Sequence, residues 1–352
     1  MQKLNNKKNN NEYGFKINYK FRNPNLKCKF EKTRTNYIGN NDIFEVFLSY
    51  KDNTEYIASS PLNSTIDIYI LLYNRQLLSL KKHNSNITSI RYFINNKNND
   101  EYLISADVGN IIIIWDITNY YNIKYKINTK YDGKIGCCIL IFPININDNY
   151  IITSSKSFYH LFNDIENSAT KVYSLNNGQF IKQINNSKRY FVNYLLSWYN
   201  KNNKNYYLIE LAHNKVVINN LLKNELYCVL VKEPETYHNS GFIFKKRNNE
   251  YLCTSSINGY IHIWDLYNKN IVKIINTNGC FIMNIINWDD KHIIVTDLDT
   301  STIKIVDIEI GKVISKIKQK APVAIIKKIY HPIYGESLLI VTLDNAFRLW
   351  NI

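Results

Sequence analysis

One six-residue strand recurs seven times in this chain, and that recurrence limits the fold more than any other feature. Its clearest copy is Ile261-His262-Ile263-Trp264-Asp265-Leu266. The other copies begin at Ile66, Ile112, Lys171, Val216, Ile303 and Phe347, and read IDIYIL, IIIWDI, KVYSLN, VVINNL, IKIVDI and FRLWNI. Positions equivalent to Trp264 are Tyr69, Trp115, Tyr173, Asn219, Val306 and Trp350, spaced 42 to 58 residues apart. A strand repeated at such a period marks an array of like units.

Two further landmarks keep the same order in every unit. An apolar strand upstream begins at Tyr56, Tyr102, Tyr150, Tyr207, Tyr251, His292 and Leu338. Before it stands an aromatic residue toward the end of another strand, at Tyr50, Phe93, Phe142, Trp198, Phe244, Trp288 and Tyr330. Apolar runs between repeats, such as Gln76 to Leu80 and Ile271 to Ile275, supply a fourth strand. Aromatic and β-branched residues suit a packed pleated surface, and 28 Tyr and 15 Phe against 11 Gly and 6 Pro favour strands. Gly109-Asn110, Asn258-Gly259 and Asp344-Asn345 suit the positive backbone angles of tight hairpins. A lone four-stranded sheet with two apolar faces does not persist in water, whereas radial stacking buries both faces and leaves short edges.

With this period and the dipeptides Trp115-Asp116 and Trp264-Asp265, the chain resembles the WD-repeat β-propellers over roughly residues 37 to 352. The resemblance implies an all-β, seven-bladed propeller of four-stranded antiparallel blades. Residues 1–25 are expected to form a basic arm and residues 26–352 the propeller. Strand counting gives the seventh blade three strands, and the resemblance implies that a strand within Leu26 to Tyr37 completes it. Members of the family often tie a blade with a His, a Ser or Thr, an Asp and the Trp. Here His83, Ser105 and Trp115 fit the second blade, with Gly109 where the Asp is expected. Thr254 and Trp264 fit the fifth, with Asn258 at that place, and Asp344 and Trp350 the seventh. Blades without the set are expected to lean on apolar packing. Trp115, Asp116, Trp264, Asp265, Trp350, His83 and Ser105 are therefore read as framework.

Enzymatic patterns do not emerge. Seven histidines are scattered without metal-ligand spacing, and no Gly-rich phosphate loop or nucleophile elbow occurs. Asp297 and Asp299 lack the Gly and Glu of a calcium loop and read as a hairpin turn. Six cysteines lie mostly within apolar runs, without paired spacing, so neither disulfides nor metal sites are expected. The apolar runs are too short to span a bilayer and Met1 leads into a polar basic segment, which reads as soluble and intracellular, cytoplasmic or nuclear.

The expected function is a non-catalytic scaffold whose rigid ring face assembles protein partners, as a monomeric propeller within a complex and without cofactors. The stretch from Lys156 to Ser168 lengthens the third repeat and carries Phe158, Tyr159, His160 and Phe162 as candidate contacts. Lys188, Arg189 and Tyr190 before the fourth blade, and Tyr237 and His238 before the fifth, are further candidates. The alternative is an electrostatic binder of RNA or anionic phospholipid. The net charge is +15, and ten Lys or Arg against Glu12 and Glu31 stand in the first 35 residues. A solvated tail would show the same composition, so protein partners are the favoured reading.

Overall fold

The computed structural model describes residues 43–60, 63–71, 75–95, 98–129, 136–143, 149–156, 169–184, 192–212, 214–231, 237–279, 281–331, 335–343 and 346–351. Every regular element among them is a strand. The first blade holds β1 (Ile43–Leu48), β2 (Glu55–Ser60), β3 (Thr65–Ile70) and β4 (Arg75–Lys81). The second holds β5 (Ile87–Asn95), β6 (Asp100–Asp107), β7 (Ile111–Asp116) and β8 (Asn122–Asn128). In the third are β9 (Gly136–Pro143), β10 (Asn149–Lys156), β11 (Thr170–Ser174) and β12 (Phe180–Ile184). The fourth comprises β13 (Val192–Asn200), β14 (Asn205–Ala212), β15 (Lys215–Asn220) and β16 (Glu225–Val231). The fifth comprises β17 (His238–Lys246), β18 (Asn249–Ser256), β19 (Tyr260–Asp265) and β20 (Asn270–Asn276). The sixth follows with β21 (Ile282–Asn287), β22 (His292–Asp297), β23 (Thr302–Asp307) and β24 (Lys312–Lys318). The seventh shows β25 (Val323–His331), β26 (Gly335–Thr342) and β27 (Ala346–Asn351).

Strands within each sheet pair antiparallel in sequence order, and apolar cores between consecutive blades arrange the sheets as a ring. A further core closes it, where Ile57, Tyr69 and Leu71 of the first blade meet Leu339 and Val341 of the seventh. Burial follows position in the blade. The third strands are covered on both faces, as in the continuous run Ile112 to Ile114 of β7, because a blade stands on either side. The fourth strands alternate, as in β8 and β20, where one face meets solvent.

Registers confirm the sevenfold alignment. Tyr69, Trp115, Tyr173, Asn219, Trp264, Val306 and Trp350 stand opposite Ile57, Leu103, Ile151, Leu208, Leu252, Ile293 and Leu338. In all six blades with a fourth strand, the pairing of third and fourth strands shifts at that position. Such a shift adds local twist and re-aims side chains. Another shift near the start of β13 and of β17 sets Asn193 and Asn239 to reach the next blade. Their side-chain amides donate to the carbonyls of His238 at 2.9 Å and Ile282 at 3.1 Å. Gly259, with φ of 81°, turns β18 into β19, and a Cβ there would meet the Gly279 carbonyl oxygen at 1.7 Å.

The expected closing strand within Leu26 to Tyr37, the basic arm and Asp344 lie outside the described residues. Among the described residues β27 pairs with β26 alone.

Candidate docking surfaces

The second blade contains a continuous hydrogen-bonded chain. Trp115 Nε1 donates to Ser105 Oγ at 2.8 Å, Ser105 Oγ lies 2.7 Å from His83 Nε2, and His83 Nδ1 lies 2.8 Å from Asp107 Oδ2. The carboxylate comes from Asp107, the last residue of β6, and not from the position of Gly109, which corrects the sequence alignment. Asp107 Oδ1 also accepts from the Ile111 amide at 3.0 Å, so one carboxylate both holds the histidine and closes the hairpin. Ser, His and Asp in hydrogen-bonded series can activate a serine nucleophile. Here Ser105 is wholly buried and already accepts from the indole, so no substrate reaches it.

The fifth blade keeps part of the arrangement, with Trp264 Nε1 donating to Thr254 Oγ1 at 3.1 Å. In the fourth blade Glu210 stands at the place of Ser105 and Asn219 at the place of Trp115. Asn219 Nδ2 donates to Glu210 at 3.0 Å, and Thr170 Oγ1 of the third blade donates to its other oxygen. The sixth blade uses an ion pair. Lys304 Nζ lies 2.5 Å from Asp297 Oδ2 and donates to the Thr277 carbonyl of the fifth blade at 3.1 Å, with both charged side chains buried. The fourth, fifth and sixth blades thus carry other buried polar links beside their apolar cores. Asp297 is a framework residue of this kind. Asp116 and Asp265 cap the turns after β7 and β19, accepting from the amides of Asn119, Tyr267 and Asn268. Trp350, half-buried, packs at the sixth–seventh blade core.

The candidate contacts Phe158, Tyr159, His160, Phe162, Lys188, Arg189 and Tyr190 lie outside the described residues. Tyr237 is half-buried at the entrance to β17. His238 is wholly buried as the first residue of β17, its ring 5.5 Å from that of His262 and 6.0 Å from that of Trp264. It offers no surface to a partner, which corrects its reading as a contact. The sequence signal was ambiguous because His238 occupies the place of Ile87, Val192, Ile282 and Val323, where other blades are apolar.

Exposed surface of the right chemistry lies elsewhere, in two places. Among the described residues, the large hydrophobic side chains left exposed sit on fourth strands or at one end of the ring. That end carries the turns from first to second strand and from third to fourth. Leu48, Tyr50, Tyr120, Tyr199, Leu222 and Tyr330 are examples from this end, Tyr120 being 86% exposed. Tyr120 and its neighbour Tyr121 have φ of 53° and 59°, left-handed values that bulky residues rarely take.

The rim is the second place. On β16, Leu226, Val229 and Val231 are 48%, 42% and 57% exposed, and on the adjacent β20 so are Val272 and Ile274. Fourth strands face outward with unpaired backbone groups, and charged residues, Lys above all, commonly guard such edges. β4, β8, β12, β20 and β24 each contain Lys, whereas β16 contains no basic residue and only Glu225 at its first position. β16 is the unguarded edge of the six.

No group of three or more His, Cys, Asp or Glu that could hold a metal ion occurs among the described residues.

Comparison with known proteins gives two findings. The profile of the family described as WD domain, G-beta repeat matches residues 74–116, the stretch that contains His83, Ser105, Asp107 and Trp115. A segment of 53 residues, 14% of this chain, is 49% identical to the tRNA (guanine-N(7)-)-methyltransferase non-catalytic subunit wdr4 of Dictyostelium discoideum. The similarity covers 11% of that protein. One repeat matched in sequence and seven sheets of common order and register make this chain a seven-bladed β-propeller that carries a WD repeat.

Proposed function

We propose that this propeller is a non-catalytic subunit that docks a partner protein on the rim of its fourth and fifth blades. The unguarded edge of β16 is the observation that carries the reading. An extended partner segment can pair with the outward amides and carbonyls of β16, and Leu226, Val229 and Val231 supply apolar contacts beside that pairing. The cost of ordering falls on the partner, because the blade is already rigid. The partial likeness to a protein whose name describes a non-catalytic subunit supports the same reading. The unpaired thiols of Cys228 and Cys253 fit a reducing compartment, and burial pushes the Cys228 thiol up to about 11, so it remains protonated.

The test is affinity purification from the native source with wild-type protein and with a Val229→Lys/Val231→Lys variant. A stoichiometric partner held by the wild type and lost by a variant of unchanged melting temperature supports the proposal. Retention of the same partner by the variant rejects β16 as the docking edge.

A further inference from the structure

The turns of the fourth and fifth blades concentrate positive charge at one end of the ring. Lys201 and Lys204 lie between β13 and β14, Lys223 between β15 and β16, and Lys269 between β19 and β20. Lys245 and Arg247 flank the turn from β17 to β18, and all six side chains are exposed. Lys246 is occupied, 2.8 Å from Glu309 of the sixth blade. These turns adjoin one another. Trp198 Nε1 of the fourth blade donates to Glu250 of the fifth at 2.8 Å, and Lys269 Nζ lies 4.0 Å from the centre of the Tyr227 ring.

Carboxylates do not balance this charge. Glu250 is taken up by Trp198 and by Tyr267 Oη at 2.9 Å, and Asp265 is buried in its turn. Glu225 is the exposed carboxylate among these turns. Elsewhere at this end the signs are mixed, with Lys51 beside Asp52 in the first blade and Lys291 beside Asp289, Asp290 and Glu309 in the sixth.

The backbone adds an independent observation. Lys204, Arg247 and Lys269 have φ of 55°, 56° and 57°. In other blades the corresponding left-handed turn positions hold Asn53, Asn99, Gly178, Gly311 and Gly335, the second blade's Tyr120 and Tyr121 being the exception. Asn and Gly adopt this conformation at little cost, whereas long side chains pay a local penalty that structures tolerate where the side chain is useful. Basic side chains therefore stand on three turn tips of adjacent blades where most other blades hold Asn or Gly. Beside them Tyr199 is exposed, its ring 4.7 Å from that of Tyr206.

We propose that this end of the fourth and fifth blades binds the phosphodiester backbone of a nucleic acid. Exposed Lys and Arg at separate tips match a polymer that carries one charge per nucleotide, and the Tyr199–Tyr206 pair offers a face on which a base stacks. The surface is distinct from the apolar rim on β16, so a protein partner and a nucleic acid can be held together.

The test measures anisotropy of labelled mixed-sequence single strands of about 20 nucleotides, as RNA and as DNA, and of the matching duplex, across a salt series. Wild-type full-length chain is compared with Lys204→Asn/Arg247→Asn/Lys269→Gly. A control, Lys312→Asn/Lys316→Asn/Lys318→Asn, removes the same charge from the rim strand β24. The tip variant is expected to lose about tenfold or more in affinity and to flatten the salt slope by about 2, at ~0.7 per lost single-strand phosphate contact. Its melting temperature is expected to stay level or rise, because strain leaves the turns. The comparison of RNA, DNA and duplex identifies the form bound. Equal loss in the control, no loss in the tip variant, or tip-dependent binding of phosphatidylserine vesicles or polyglutamate in place of nucleic acid overturns the proposal.

Discussion

Glu210 and Asn219 hold the fourth blade with a carboxylate and an amide where the second uses a hydroxyl and an indole. A nitrogen donor and an oxygen acceptor keep their places while both functional groups change. Glu210→Ala would leave Asn219 and Thr170 without this acceptor in a dry site, and is expected to cost about 3 kcal/mol in urea unfolding. His238 gives a test by pH. Burial, and then His262, hold it down to about 3, below its ordinary 6.5. Between those values the unfolded chain takes up a proton that the folded chain refuses, so stability rises with pH through that window. It is fully present above about 6.5. The slope contributed by one proton is about 1.4 kcal/mol per pH unit. His238→Val, matching Val192 and Val323, is expected to flatten the dependence between pH 6.5 and 3, and an unchanged profile would assign the protonation to another group. Such residues are hard to read from sequence. In a chain rich in Asn, Lys and Tyr, a buried amide or carboxylate looks like a solvated one until its strand partners are known.

At the scale of the strand, the third strands and their equivalent positions were legible because burial on both faces favours apolar residues along most of their length, and seven such segments recur 42 to 58 residues apart. Position along the strand was less legible. The sequence placed the acid of the second blade in its turn, at Gly109, but Asp107 reaches the histidine from the strand end. Turn tips were legible as loops and not as a surface, since which turns share an end of the ring depends on strand order. The left-handed angles at Lys204 and Arg247 make a separate prediction. Either single change to Asn is expected to leave stability level or raise it by about 0.5 kcal/mol, read from the denaturation midpoint. A loss of more than that would mean that these side chains make stabilising contacts.

For the whole ring, the seam between the seventh and first blades carries a charged cluster as well as an apolar core. Lys327 Nζ is ion-paired with Glu45, and Arg91 of the second blade lies 3.9 Å from the same carboxylate. Burial pulls Lys327 below the usual lysine range while Glu45 opposes that shift. Glu45→Gln leaves two cations facing each other and is expected to lower stability by about 1–2 kcal/mol, checked by thermal unfolding. Deleting residues 1–37 tests the closing strand expected from strand counting. A sharp fall in melting temperature is the expected result, and an unchanged one excludes it. The tie of the second blade has its own consequence. His83 follows β4 of the first blade yet bonds within the second, so the matched unit of residues 74–116 starts in one sheet and ends in the next. Copying or losing such a unit alters two sheets together. Its joins fall between third and fourth strands, at the end of the ring where Lys223 and Lys269 stand. Two of the basic tips, Lys223 and Lys269, therefore stand at the seams of the array, where new side chains can be tried without disturbing a tie.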